Sequence, residues 1–199
     1  FLSAGLADGT RRPVISSSKA AELWDAALVA RNENRPKEML AAVQRLLRTY
    51  PREARYLELE ANALSSLGDF SGEAAAWEAY LRWSATPIDA CPRLGRAYEK
   101  CNDGTAALGA HKRCQDLDPS KVDLRLNYAR AMESAGRKAE AEALYESMRR
   151  DFPDDSYAPL FMGRLKLERG DVKGAAALIE PMLAARPKDV HVCLTGRRC

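Results

Sequence analysis

The stretch Arg93-Leu94-Gly95-Arg96-Ala97-Tyr98-Glu99-Lys100, followed by Ala106-Ala107-Leu108 and closed by Leu117-Asp118-Pro119, decides the fold. Between its two apolar segments stands Asp103-Gly104, and after them comes a proline. Proline ends a helix because it has no N–H to donate and its ring clashes with the preceding turn. Glycine just past a helix end supplies the left-handed conformation at no steric cost. The stretch therefore reads as helix, glycine turn, helix, proline turn.

Working outward, the same punctuation recurs. Pro51, Pro87, Pro119, Pro153 and Pro187 stand 36, 32, 34 and 34 residues apart. Midway between them fall Gly68-Asp69, Asp103-Gly104, Gly136-Arg137 and Gly170-Asp171, with Asn32-Glu33-Asn34 at that place in the first unit. Asparagine is the usual substitute for glycine there. Inside the units the period is helical: Leu124, Tyr128, Ala131, Met132 and Ala135 step by three and four, and Ala143, Leu144, Tyr145 and Met148 follow. Neither helix buries its apolar stripe alone, whereas antiparallel pairs stacked on one another bury a continuous seam. The spacing predicts an all-α fold. The second unit has two extra residues before Pro87, read as a lengthened helix end around Trp83-Ser84-Ala85-Thr86.

Composition agrees and excludes several classes. The 199 residues are 46% hydrophobic and 30% charged, too apolar for disorder and too interrupted by charge for a membrane span. Alanine and leucine dominate the apolar set, and β-branched residues are sparse, which argues against a sheet. Net charge is +3, from 31 basic and 28 acidic residues spread along the chain, so nothing demands a polyanionic partner. The opening Phe1-Leu2-Ser3-Ala4-Gly5-Leu6-Ala7 is small and apolar. It reads either as the tail of a signal or anchor sequence or as a frayed terminus, leaving bacterial periplasm and cytoplasm both open.

These residues resemble the tetratricopeptide-repeat (TPR) family over nearly all of 19–189. The small residue of each first helix is Ala27, Ala61, Gly95, Ala129 and Gly163; that of each second helix is Ala74, Ala107, Ala141 and Ala175, with Met39 or Leu40 in the first unit. The resemblance implies a right-handed superhelical solenoid of antiparallel helix pairs, about five units plus the start of a sixth. A flexible segment over 1–17, a solenoid over 18–189 and a truncated repeat over 190–199 are expected. The alanine- and arginine-rich units look bacterial.

Family members typically bind extended peptides or helices in a concave groove lined by first helices. The residue after each small first-helix position should face that groove. It reads Asn62, Arg96, Arg130, Arg164 and, in the unfinished unit, Arg198; the four arginines are spaced 34 apart. An arginine ladder attracts carboxylates, because guanidinium presents planar paired donors, so an acidic partner is expected. Asp89, Glu99, Asp123, Glu133, Tyr157 and Glu168 are neighbours in the groove; the acids among them alternate with the arginines, and solvated pairs within one helix would account for both. The family's chaperone-type carboxylate clamp lacks its lysines here. Trp24, Trp77, Tyr80, Tyr98, Tyr128 and Tyr145 sit at core spacing, whereas Tyr157 and Trp83 lie near turns and suit a partner surface.

The cysteines are Cys91, Cys101, Cys114, Cys193 and Cys199, without a C-x-x-C pair or zinc-finger histidine spacing. Inert buried cysteines are one reading. The other is a disulfide between Cys91, early in a first helix, and Cys114, late in the facing second helix, if the chain is exported. His111 has no nucleophile or carboxylate placed to make a triad, and no phosphate-binding loop or metalloprotease motif occurs. No cofactor is expected. The sequence thus predicts a non-catalytic scaffold holding a protein or peptide segment. Its alternatives are a regulatory arm of a larger enzyme or sensor and, against the alternating acids, a helical-repeat RNA binder. Self-association through an uncapped C-terminal edge is a further expectation.

Overall fold

A computed structural model describes residues 15–185, and among them the chain is all-helical. The order is α1 (Ser17–Asn32), α2 (Pro36–Thr49), α3 (Ala54–Leu67), α4 (Phe70–Trp83), a 3-10 turn (Pro87–Ala90), α5 (Cys91–Lys100), α6 (Gly104–Leu117), α7 (Val122–Ser134), α8 (Lys138–Asp151), α9 (Tyr157–Glu168) and α10 (Val172–Ala185). They form two compact units that divide between Asn102 and Asp103. In the first unit each helix packs on the next from α1 to α5; in the second the same holds from α6 to α10. This is the all-α helical-repeat solenoid expected from the punctuation.

The turns show why that punctuation works. Gly68, Gly136 and Gly170 adopt φ of 76°, 77° and 80°. At Gly68 the chain folds back so that Gly68 N–H donates to Ser65 O and Asp69 N–H to Leu64 O, satisfying carbonyls the helix end leaves open. The next residue then starts the following helix: Asp69 accepts from Gly72 N–H at 2.9 Å and Asp171 from Gly174 N–H at 2.8 Å. Asn34 takes the left-handed position in the first unit, at φ 54°. The third unit departs from the expectation. There Asn102, at φ 56°, is left-handed, Asp103 is the N-cap, and Gly104 is already the first residue of α6.

One further reading is corrected. The extra residues before Pro87 do not lengthen α4, which ends at Trp83; Ser84 is extended, and the surplus lies in the connection 84–86, ahead of the 3-10 turn leading into α5. Ser16 caps α1 by accepting from Lys19 N–H at 3.2 Å, and Ile15 packs on the core. The truncated repeat at 190–199 lies outside the described residues.

The small positions sit where helices cross. Ala27, Ala61 and Ala129 are wholly buried, as is Ala141, and Met39 fills the odd position of the first unit. Gly163 permits the closest approach: a Cβ there would stand 2.7 Å from Ile179 Cδ1 of α10. Around these points the first unit buries Leu23, Val43, Leu46 and Tyr56, and the second Tyr128, Tyr145, Met148 and Leu165.

Candidate functional site

The first helices of the repeats are α1, α3 and α5 in the first unit and α7 and α9 in the second, and the last four of these carry the expected partner-facing residues within the described chain. In the first unit, Asn62 is half-buried on α3, and Arg96 is exposed on α5, where its Nε donates to the Pro92 carbonyl one turn earlier at 2.8 Å. An ion pair joins these two helices: Arg93 reaches Glu58 at 3.2 Å, and its guanidinium lies 5.0 Å from the Trp77 ring.

The second unit brings more together. Arg130 on α7 and Arg164 on α9 flank the Phe161 ring at 5.8 and 5.6 Å. Phe161 is half-buried and stacks on the buried Tyr145 of α8, with centroids 5.7 Å apart. The Tyr145 hydroxyl donates to Glu133 Oε1 at 2.5 Å, and the other oxygen of Glu133 accepts from Arg164. Arg164 also donates to Glu168 at 2.6 Å, and Glu168 accepts from Lys138 at 2.7 Å. One chain of polar contacts thus runs from α8 through α7 to α9 and back to α8.

Electrostatics follow from that chain. Burial, reinforced by donation to Glu133, pushes the Tyr145 phenol well above its ordinary value. The Lys138 ammonium, then Arg164, holds the Glu168 carboxyl below its own. The expectation of pairs within single helices is met only in part. Arg164–Glu168 is such a pair, but Arg164–Glu133 spans 31 residues and two helices. Spacing along one helix gives no signal for that pairing.

Tyr157 is the first residue of α9, half-buried and one turn before Phe161. Arg198 lies outside the described residues. Trp83 is 41% exposed, with the Arg52 guanidinium 4.2 Å over its ring. Trp77, Tyr80, Tyr128 and Tyr145 are core residues, as their spacing predicts. Phe161, absent from the expected set, is recognised only by the two guanidiniums beside it. Cys91 and Cys114 are each 1% exposed, while Cys101 is free and exposed. Among the described residues no cluster of His, Cys, Asp or Glu is arranged to hold a metal ion, and no helix is long and apolar enough to cross a membrane.

A solenoid of helix pairs with its polar chemistry on exposed helix faces defines a class of repeat scaffold. A tetratricopeptide-repeat family model matches residues 102–165 and 139–193. The chain carries tetratricopeptide-repeat sequence over the stretch that model matches, 102–193. Solved structures agree in fold. A crystal structure of MamA superposes with a TM-score of 0.71 at 17% identity, covering 88% of this chain and 96% of that one. A MamA from Desulfovibrio magneticus RS-1 gives 0.68 at 17% identity, covering 88% and 99%. YrrB, a TPR protein with an unusual peptide-binding site, gives 0.66 at 15% identity, covering 92% and 94%. No curated protein sequence matches the chain. The fold is that of protein-interaction scaffolds with protein partners, and such repeat proteins are generally non-catalytic.

Proposed function

We propose that this chain holds a peptide or helical segment of a partner protein on the face that successive first helices form within a compact unit. The observation that carries the reading is the α7–α9 face. It presents the exposed guanidinium of Arg130 beside the half-buried ring of Phe161, with Tyr157 one turn away. An exposed arginine and a half-buried tyrosine near a partly covered aromatic ring match the composition of interface anchors. In the first unit Asn62 and Arg96 hold the matching positions of α3 and α5. YrrB, with its peptide-binding site, offers a precedent on the same fold.

Site-specific photo-crosslinking in cells tests this. A photoreactive residue at Arg130 should capture a discrete protein, and one at Arg149 on α8 should not. Capture from Arg149 alone would move the site to the second helices and sink the reading.

A further inference from the structure

The arginines of the second unit are not equivalent. Arg125 pairs with Asp151, Arg137 with Glu140, Arg149 with Glu146, Arg169 with Glu142, and Arg164 with both Glu133 and Glu168. Arg130 is exposed, and among the described residues no carboxylate lies within ion-pair distance of it. Its neighbour is the Phe161 ring, at 5.8 Å. That ring is fixed from below by the Tyr145 stack, and Tyr145 is itself tied through Glu133 to Arg164. On α9, Tyr157 and Phe161 are four residues apart and so share a face of the helix. An unneutralised cation therefore stands beside one half-buried aromatic ring whose support is already locked, with Tyr157 one turn from that ring along α9.

We propose that this shelf takes a partner segment bearing an aspartate or glutamate within a few residues of a large apolar side chain. The carboxylate is received by Arg130 and the apolar group lies on Phe161 and Tyr157. The inference rests on the reading of the first-helix wall as the binding face. Charge complementarity selects the occupant: a guanidinium with free donors gains most from a carboxylate, which it grips through two parallel hydrogen bonds. A cation beside an aromatic ring also disfavours a basic segment at the same place. Because Phe161 is held before the partner arrives, little ordering cost falls on binding. Arg164, although it occupies the same repeat position as Arg130, is a positioning residue: its donors are engaged by Glu133 and Glu168.

The test pans a phage-displayed dodecapeptide library against the full chain. Enriched peptides are then titrated by fluorescence anisotropy against the parent, Arg130→Gln, Arg149→Gln and Tyr157→Ala. Enriched peptides should share an acidic residue near a leucine, isoleucine or phenylalanine. Arg130→Gln should weaken them roughly tenfold or more, the scale of a charge-assisted hydrogen bond. Arg149→Gln should leave affinity unchanged, and each variant should keep the parent's thermal transition. Peptides weakened by Tyr157→Ala yet bound equally by Arg130→Gln would overturn the acidic assignment and leave the binding face standing. No enrichment, or peptides indifferent to both changes, would overturn the face as well. Concentration-dependent dimerisation of the parent, abolished in Arg130→Gln, would overturn the peptide assignment in favour of a second copy.

Discussion

Arg164 on α9 reaches back one repeat to Glu133 on α7, and the two ends of the pair sit in different environments. The arginine side chain is 46% exposed, whereas that of the glutamate is 10% exposed. Coulomb attraction is screened at the exposed end and desolvation is felt at the covered end. The pair links two successive first helices.

Removing the arginine should therefore cost more than a surface ion pair does. Breaking a fully buried pair costs about 3–5 kcal/mol, because a charge is left uncompensated. Screening at the exposed guanidinium reduces this to roughly 1–2 kcal/mol for Arg164→Gln. Glu133→Gln should cost less, since an amide oxygen still receives the Tyr145 hydroxyl. The double variant should fall short of the sum by about 1 kcal/mol. The pair between first helices of the first unit, Arg93–Glu58, lies at other repeat positions and has side chains 44% and 45% exposed. Its Glu58→Gln variant should move stability by no more than about 0.5 kcal/mol. Urea unfolding of the variants decides it, and equal effects at both pairs would refute the distinction.

The helix-ending glycines make a second prediction. At Gly136, φ of 77° places the residue where a Cβ crowds the following carbonyl, although nothing else lies near that Cβ. Gly136→Ala should destabilise by about 1–2 kcal/mol from backbone strain alone. Asn102 holds the same conformation with a side chain already suited to it, so Asn102→Gly should be neutral to within about 0.5 kcal/mol. Thermal unfolding of the two variants would separate conformational strain from lost contacts; a neutral Gly136→Ala would contradict it.

Packing at the α9–α10 crossing gives a third. A Cβ on Gly163 would lie 2.7 Å from Ile179 Cδ1 and 2.9 Å from Cγ1. Alanine gains about 1 kcal/mol of helix propensity, which offsets most of the displacement of that side chain. Gly163→Leu has no such relief and should cost about 3 kcal/mol through overpacking. Adding Ile179→Ala should recover part of the loss, because the vacated volume admits the leucine. Failure of the second change to help would place the strain elsewhere than at Ile179.

What the sequence made legible was whatever the backbone demands locally. A left-handed φ requires glycine or asparagine, a helix end is marked by proline, and a crossing point needs a small side chain. The period and the helix pairs follow from those residues alone. The exchange of roles between Asn102 and Gly104 was not legible, since two permissive residues with only Asp103 between them satisfy the same turn in either register. The surplus residues before Pro87 were equally ambiguous, because Trp83 to Thr86 suits a longer helix or an irregular connection. The arginine ladder was visible as spacing, but its division was not. Whether Arg164 or Arg130 is engaged depends on Glu133 and Phe161 across neighbouring helices, and such contacts are set by packing.

Tyr145 supplies a prediction in pH. Its phenol is buried and donates to Glu133, so its pKa in the folded chain is raised above the ordinary value of about 10. A group whose folded pKa is raised contributes stability that is fully present below the unfolded value. That stability is lost as pH rises, because the unfolded tyrosine ionises while the folded one does not. Near neutral pH, Tyr145→Phe should cost about 1–2 kcal/mol, since a covered carboxylate loses a donor and keeps only its arginine. Above about pH 10 the parent alone loses this contribution, by about 1.4 kcal/mol per pH unit, and the gap to the variant should close. Urea titrations of both proteins at about pH 8 and about pH 11 measure the gap directly, and the other tyrosines cancel in the comparison. A gap that stays constant between those conditions would mean that Tyr145 ionises as readily in the folded chain as in the unfolded one. The polar link from α8 to Glu133 would then be open to water, and the shelf under Phe161 would lose its rigid support.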